Sequence, residues 1–304
     1  MRRATAAGLV DSTTSRRGVS GQATAAALVV AAGLTTLVAQ TPQFGTRVDV
    51  VEVYASVTDA RGEPVRGLSQ DRFTVFEDGQ PQEITTFAEA DFPLSVAVAV
   101  DRSWSMADRL ARAKQAAGTL AGELRADDQI MLVAIGSGVE IAMPLSRDRA
   151  RLQSALTQLD PWGTTPLNDA AIAAIARVQE GTGRRALVLL SDGDDRYSRA
   201  SPDDVLAAAR RADVMVYPVA LGKARPPLFA ELAASTGGRS FQASDRAPLE
   251  RAMRAIAQEL RTQYLLGYTP ARPRTEGPGE WRAIRVEVRA PDARVRARDG
   301  YVND

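Results

Sequence analysis

The stretch SVAVAVDRSWSMADRL, residues 95–110, decides how this chain is read. A nearly all-apolar run over 94–100 stops at Asp101, and oxygen-bearing side chains then recur at alternate positions, Asp101, Ser103 and Ser105, with Trp104 between the serines. A continuous apolar run of this length suits a strand covered on both faces, the condition of a parallel sheet packed between helices. Directly after the polar turn, Leu110, Ala113, Ala117, Leu120, Ala121 and Leu124 fall at helical spacing and predict a helix over 106–124. Strand, polar turn and helix make the first unit of an α/β fold.

The unit recurs downstream. Buried-type strands are predicted over 129–135, 186–190 and 214–220, with a short strand over 139–143 returning antiparallel at an edge and another over 240–242. Helices are predicted over 148–159, 168–178, 227–235 and 248–261, and one opens at Ser201-Pro202-Asp203-Asp204 with proline in its first turn. The expected fold is a doubly wound, mostly parallel sheet with helices on both faces.

The flanks have a different period. Val51, Val53, Ala55 and Val57 alternate with Glu52, Tyr54, Ser56 and Thr58, as in a half-buried strand. Residues 73–76 and 83–87 flank an Asp78-Gly79 turn and read as a hairpin. Near the other end, Tyr264, Leu266 and Tyr268 alternate, and Ile284, Val286 and Val288 alternate with Arg285, Glu287 and Arg289; a loop at 270–279 connects the two. About 45 residues of strand make a poor core alone, so 45–92 and 263–304 are expected to build one small β subdomain beside an α/β domain at 93–262. Arg282, Arg285, Arg289, Arg294, Arg296 and Arg298 read as the wet face of that sheet.

Residues 1–39 read as an export signal or an N-terminal membrane anchor. Arg2, Arg3, Arg16 and Arg17 precede an apolar run over 23–39, with no acid between Asp11 and Asp49. At about 17 residues the run lies between a long signal h-region and a minimal span. The expected location is outside the cytoplasm: periplasmic, cell-surface or secreted, with membrane contact only through 23–39 if that segment stays attached. Residues 1–39 carry four arginines and one aspartate, so of the formal net charge of +1 the rest of the chain keeps −2. A near-neutral remainder has no electrostatic footprint for nucleic acid.

Cysteine and histidine are both absent. That removes disulfides, thiolate nucleophiles, the commonest general base and the commonest transition-metal ligand. A metal held by this chain is a hard one, bound through oxygen.

Ligands of open α/β sheets bind at the carboxyl ends of the strands, and three polar loops fall on that edge. They are Asp101-Arg102-Ser103-Trp104-Ser105, Gly163-Thr164-Thr165-Pro166-Leu167-Asn168-Asp169, and Ser191-Asp192-Gly193-Asp194-Asp195. Mg²⁺ takes octahedral oxygen ligands and keeps several waters. Hydroxyls of Ser103, Ser105 and Thr165 with the carboxylates of Asp101 and Asp192 suit it, and Mn²⁺ or Ca²⁺ are the substitutes. Simpler roles exist for each residue alone. Ser103 or Ser105 could cap the helix, Thr164 or Thr165 could form a turn, Asp169 could support its helix's first turn, and Asp194 and Asp195 could be a solvated loop.

With Asp-x-Ser-x-Ser after the first strand, TPLNDA in the second loop and LLSDGDD in the third, the chain resembles a von Willebrand factor type A domain with a metal-ion-dependent adhesion site (MIDAS). The likeness covers roughly residues 93–262. The flanks, including VTDARGEPVRGLSQDRFTVFEDGQPQEITTF and LRTQYLLGYTP, resemble a bacterial exported subgroup of related proteins. The resemblance implies a metal at Asp101, Ser103, Ser105, Thr165 and Asp192, and an exported, non-enzymatic module that captures an acidic side chain of a protein partner. Trp104 stands where the family usually has glycine or another small residue, and Thr164 where a second glycine is common; Trp104 is either a packed aromatic or an exposed partner contact at the metal's rim. The alternative is a structural envelope component in which the metal only stabilises the fold. A metal-activated hydrolase on the same cluster is disfavoured, since Ser103 has no evident activating base.

Overall fold

The computed structural model describes residues 50–89, 92–222, 224–272 and 279–303. The segment read as a signal or anchor, and most of the 270–279 loop, lie outside the described residues.

In chain order, strands β1 (Val51–Thr58), β2 (Phe73–Glu77), β3 (Gln80–Gln82) and β4 (Ile84–Glu89) precede the α/β region. That region comprises β5 (Leu94–Asp101), α1 (Ala107–Glu123), β6 (Gln129–Ile135), β7 (Val139–Ser146), α2 (Arg149–Thr157), α3 (Leu167–Val178), β8 (Arg184–Ser191), α4 (Pro202–Arg211), β9 (Met215–Ala220), α5 (Pro227–Thr236), β10 (Phe241–Gln242) and α6 (Arg246–Leu260). Strands β11 (Tyr264–Tyr268), β12 (Glu280–Val288), β13 (Arg294–Arg296) and β14 (Gly300–Asn303) follow.

The central sheet has the order β10-β9-β8-β5-β6-β7, parallel except for β7, which returns antiparallel to β6. Every residue of β5 is buried. Its side chains alternate between two cores: Val96, Val98 and Val100 meet α1 and α6, while Ala97 and Ala99 face α3. The small side chains on the second face match an alanine-rich α3, whose Ala170, Ala171 and Ala174 are buried there. The fold class is the expected one. From β5 the chain runs outward through β6 on one side and through β8 on the other, so strand order reverses between β5 and β8, and the crevice at their carboxyl ends is where such a sheet accepts ligands.

Strands from the two ends of the described chain pair with each other, β1 with β11 and β13, and β2 with β12. They form two antiparallel four-stranded sheets, β13-β1-β11-β4 and β14-β12-β2-β3, that share one core around Val53, Phe73, Tyr264, Leu266 and Ile284. This sandwich meets the central sheet at its N-terminal edge. Arg184, the first residue of β8, donates to Leu260 O at 2.7 Å and stacks 4.8 Å from the Tyr54 ring centre. Glu259 accepts from Ser56 of β1, Tyr217 of β9 and Arg296 of β13.

Two readings of the flanks are corrected. The Asp78-Gly79 hairpin is real, with both residues at positive φ (49° and 81°) as a tight two-residue turn demands, but its second arm is β3. Residues 84–89 leave that sheet and pair with β11 in the other one. Pro81 sits on β3, an edge strand, where a missing N–H costs no ladder bond. Second, Arg282 is not on a wet face. It has the parity of Ile284 and Val286, points inward and is 1% exposed. Its guanidinium lies 3.1 Å from Glu77 Oε1, and the Glu77 carboxylate also accepts from Tyr268 (2.7 Å) and Tyr301 (2.9 Å). Arg296 and Arg298 are half-buried, and Arg285 stays outside.

Burial pushes the Tyr217, Tyr268 and Tyr301 hydroxyls well above the ordinary tyrosine range, and the bond to a carboxylate adds to the shift in each. A folded value above the unfolded one means stability fully present below the unfolded value, about 10, and lost as pH rises through and past it. The urea midpoint is therefore expected to hold up to about pH 10 and fall above it. Tyrosinate absorbance from all six tyrosines appearing while the far-UV spectrum stays native would contradict this.

Candidate functional site

The site forms where β5 and β8 end side by side. Val100 pairs with Leu190, so Asp101 and Ser191 are the next residues on adjacent strands. The Ser191 hydroxyl donates to Asp101 Oδ2 at 2.6 Å, and the Ser103 backbone N–H donates to Oδ1 at 2.9 Å. Both oxygens of a wholly buried carboxylate are thus held in place. Burial pushes the Asp101 carboxyl above the usual range, hydrogen bonds from Ser103 and Ser191 oppose this, and the Asp192 charge pushes the same way as burial.

The serines do not cap a helix. Residues 104–106 form one turn of 3₁₀ helix before α1, and neither Ser103 at its start nor Met106 at the start of α1 makes a side-chain capping bond. Instead Ser103 Oγ lies 3.1 Å from Ser105 Oγ, so alternate residues of the turn bring two hydroxyls together. Arg102 and Trp104 point elsewhere. Arg102 pairs with Glu140 at 3.0 Å and lies 5.2 Å from the Trp162 ring centre, while Trp104 is 66% exposed.

The second loop is pinned by Gly163. Its φ is +84°, and a Cβ there would come within 2.2 Å of Ser137 N, so only glycine fits. Trp104 N–H donates to Gly163 O at 3.2 Å, tying the first loop to the second. Thr165 is 2% exposed, and its carbonyl accepts from Arg196 N–H at 2.7 Å.

In the third loop Asp192 is half-buried. Oδ1 accepts from Asp194 N–H at 3.3 Å, and Oδ2 lies 3.7 Å from Arg109 of α1, which also donates to Ser105 O. Asp169 lies in the first turn of α3, as expected, and also ties down the third loop. Its carboxylate accepts from the backbone of Arg199 and Ala200. Asp195 and Ser198 in turn accept from Asn168 N–H, and Ser198 also from Asp169 N–H, so one loop caps α3 from outside and α3 holds that loop. Sequence reasoning missed Ser191, Arg109 and this lacing. Ser191 left a signal: it is the hydroxyl that directly follows the apolar run 186–190, at the end that faces Asp101.

The structure thus brings Asp101, Ser103 and Ser105 onto one turn, and sets Thr165 and Asp192 on two loops bonded to it directly or through the second loop. The donor set fits a hard divalent ion. It is all oxygen, it combines two carboxylates with neutral hydroxyls, and it includes a wholly buried carboxyl whose charge a cation would offset. Among the described residues no cluster of three or more Asp and Glu forms a metal cage, so an ion here would depend on the hydroxyls.

Residues 96–194 match the family model of the von Willebrand factor type A domain. No curated protein sequence matches the chain. Among solved structures, a von Willebrand factor type A protein from Catenulispora acidiphila is 15% identical, with 83% of this chain and 73% of that chain covered at a TM-score of 0.51. Proximal thread matrix protein 1 from the mussel byssus is 15% identical, covering 61% and 51% at 0.52; the same protein with a zinc-occupied MIDAS motif gives 16%, 57% and 46% at 0.49. An aerotolerance-related membrane protein from Bacteroides fragilis is 21% identical, covering 55% and 98% at 0.45. The family match runs from β5 to the Asp192 loop, so the part of the chain that carries the three site loops is similar to a von Willebrand factor type A domain.

Proposed function

We propose that this chain is an exported, non-enzymatic binding module that holds a divalent ion, Mg²⁺ first, at Asp101, Ser103, Ser105, Thr165 and Asp192, and uses it to capture an acidic side chain of a protein partner. The observation that carries this reading is the buried Asp101 carboxylate, fixed by Ser191 and the Ser103 backbone beside two facing hydroxyls. Domains of this family generally mediate protein–protein interactions and commonly bind a divalent metal. Two carboxylates only balance the ion's charge, so it stays electrophilic enough to take a partner's carboxylate.

Residues 93–262 are the binding module in this reading, and 45–92 with 263–304 form its β companion. Export rests on residues 1–39. No helix among the described residues is long and apolar enough to cross a membrane. A non-enzymatic role is supported by the surroundings of the site hydroxyls. Ser103 and Ser105 lie against each other, and the carboxylate beside Ser103, that of Asp101, is wholly buried and held by Ser191. Ser191 does donate to Asp101, but it is wholly buried and out of reach of a substrate.

Isothermal titration of Mg²⁺ and Mn²⁺ tests the reading, with saturable one-site binding expected and no binding of either ion overturning it. Ser191→Ala removes the donor that orients Asp101 without touching a proposed ligand. It is expected to weaken Mg²⁺ binding about 10–100-fold, the usual cost of losing such a support, while the circular dichroism stays native. Unchanged affinity would remove Ser191 from the site.

A further inference from the structure

Among the described residues five large apolar side chains are markedly exposed, and three of them stand one on each site loop: Trp104 (66%), Trp162 (50%) and Tyr197 (79%). Backbone bonds join the segments that carry these rings. Trp104 N–H donates to Gly163 O, Trp162 N–H to Arg102 O at 2.7 Å, and Arg196 N–H, next to Tyr197, to Thr165 O. Each ring therefore stands on, or beside, a residue that bridges two loops.

Tyr197 adds an independent observation. Its φ is +74°, an outlier for a bulky side chain. The exposed ring gains almost no packing in return, yet the conformation is enforced from both sides, by the Arg196 N–H bond and by Ser198 bonded to Asp195 at 2.6 Å. Strain of this kind persists where it serves a site. Trp162 is likewise set in place. A Cβ on Gly136 would come within 2.9 Å of its ring, so that glycine lets the indole lie flat on the backbone, and Arg102 covers it.

We propose that Trp104, Trp162 and Tyr197 form an aromatic collar that selects a protein loop presenting one carboxylate flanked by apolar side chains. The proposal rests on the ion-binding reading above: the ion takes the carboxylate and the rings take its neighbours. Aromatic side chains bury about 150–250 Å² each, so the exposed parts of these three come to roughly 400 Å², about half of one side of a standard interface. Tryptophan, tyrosine and arginine are the residues that concentrate binding energy in protein interfaces, and Arg102 and Arg109 stand among the rings and ligands.

The test is display selection in Mg²⁺ with cyclic peptides carrying a fixed central Asp, beside a matched library carrying Asn. Enrichment of Asp peptides with Leu, Pro or Phe flanks is expected. The double variant Trp104→Ala/Tyr197→Gly should bind the selected peptide about 30-fold or more weakly, as loss of an interface hot spot does. Its Mg²⁺ affinity by calorimetry should be retained. Tyr197→Gly alone should raise the melting temperature, because glycine adopts that backbone freely; a lowered one would assign the ring a structural role and overturn its place in the collar. Peptide affinity unchanged in the double variant but abolished by Asp101→Ala overturns the collar and leaves the ion reading standing. Selection of Asn and Asp peptides alike overturns the carboxylate half. Retention of polygalacturonate by wild type but not by the double variant, without Asp enrichment, overturns the protein partner in favour of an acidic polysaccharide.

Discussion

Glu77→Ala is expected to lower stability by about 3–5 kcal/mol, the cost of breaking a buried ion pair by removing one partner. The mutation leaves Arg282, which is 1% exposed, only its longer 3.9 Å contact with Glu280, and also takes the acceptor from Tyr268 and Tyr301. These donors come from β12, β11 and β14, and Glu77 itself ends β2, so one carboxylate holds together strands of both outer sheets. Urea unfolding of the variant should show the midpoint shift directly. Replacing the pair together, Glu77→Leu with Arg282→Met, should recover much of the loss, because an apolar pair of similar volume avoids the desolvation of two charges. A single variant within about 0.5 kcal/mol of wild type would mean that the carboxylate does not hold Arg282.

Asp101→Ala is expected to abolish the response to Mg²⁺ while leaving the ion-free protein as stable as before, or more so. The carboxylate is wholly buried, pushed up by that burial and disfavoured by Asp192, so without a cation it is an electrostatic burden. With Mg²⁺ at 100 times its Kd, the wild type should gain about 2.7 kcal/mol, which for a chain of this size is a rise of roughly 5–10 °C in Tm. The variant should show none of that rise. A variant that loses stability in EDTA and still responds to Mg²⁺ would move the ion elsewhere. If partner capture survives in a variant that has lost the Mg²⁺ response, the ion only stabilises the fold.

The central fold was legible because its signal is local. A short, nearly all-apolar run such as 94–100, rich in valine, suits a covered strand, and the polar residues right after it mark the sheet edge that binds ligands. The outer sheets were harder, because which strand pairs with which is decided by residues far apart in sequence. Nothing local says that 84–89 abandons the hairpin for β11. Arg282 shows a second limit: alternation gave the inward face correctly, but charge was allowed to override parity, and the partner that makes burial tolerable lies 205 residues away. In the candidate site, the Asp-x-Ser-x-Ser turn is readable as a motif, whereas Ser191, Ser198 and Asp195 are ordinary until the register of β5 against β8 and the approach of α3 give them partners.

The placement of the outer sandwich has a mechanical consequence. The sandwich grips the central sheet at the edge opposite the oxygen cluster, through Arg184, Glu259 and the two connections on either side of the α/β region. A pull between a captured partner and the sandwich would run along β5 and β8 rather than across them. Their seven registered pairs would then be sheared together instead of unzipped in turn. Tension of that kind is resisted by all the rungs of the ladder at once.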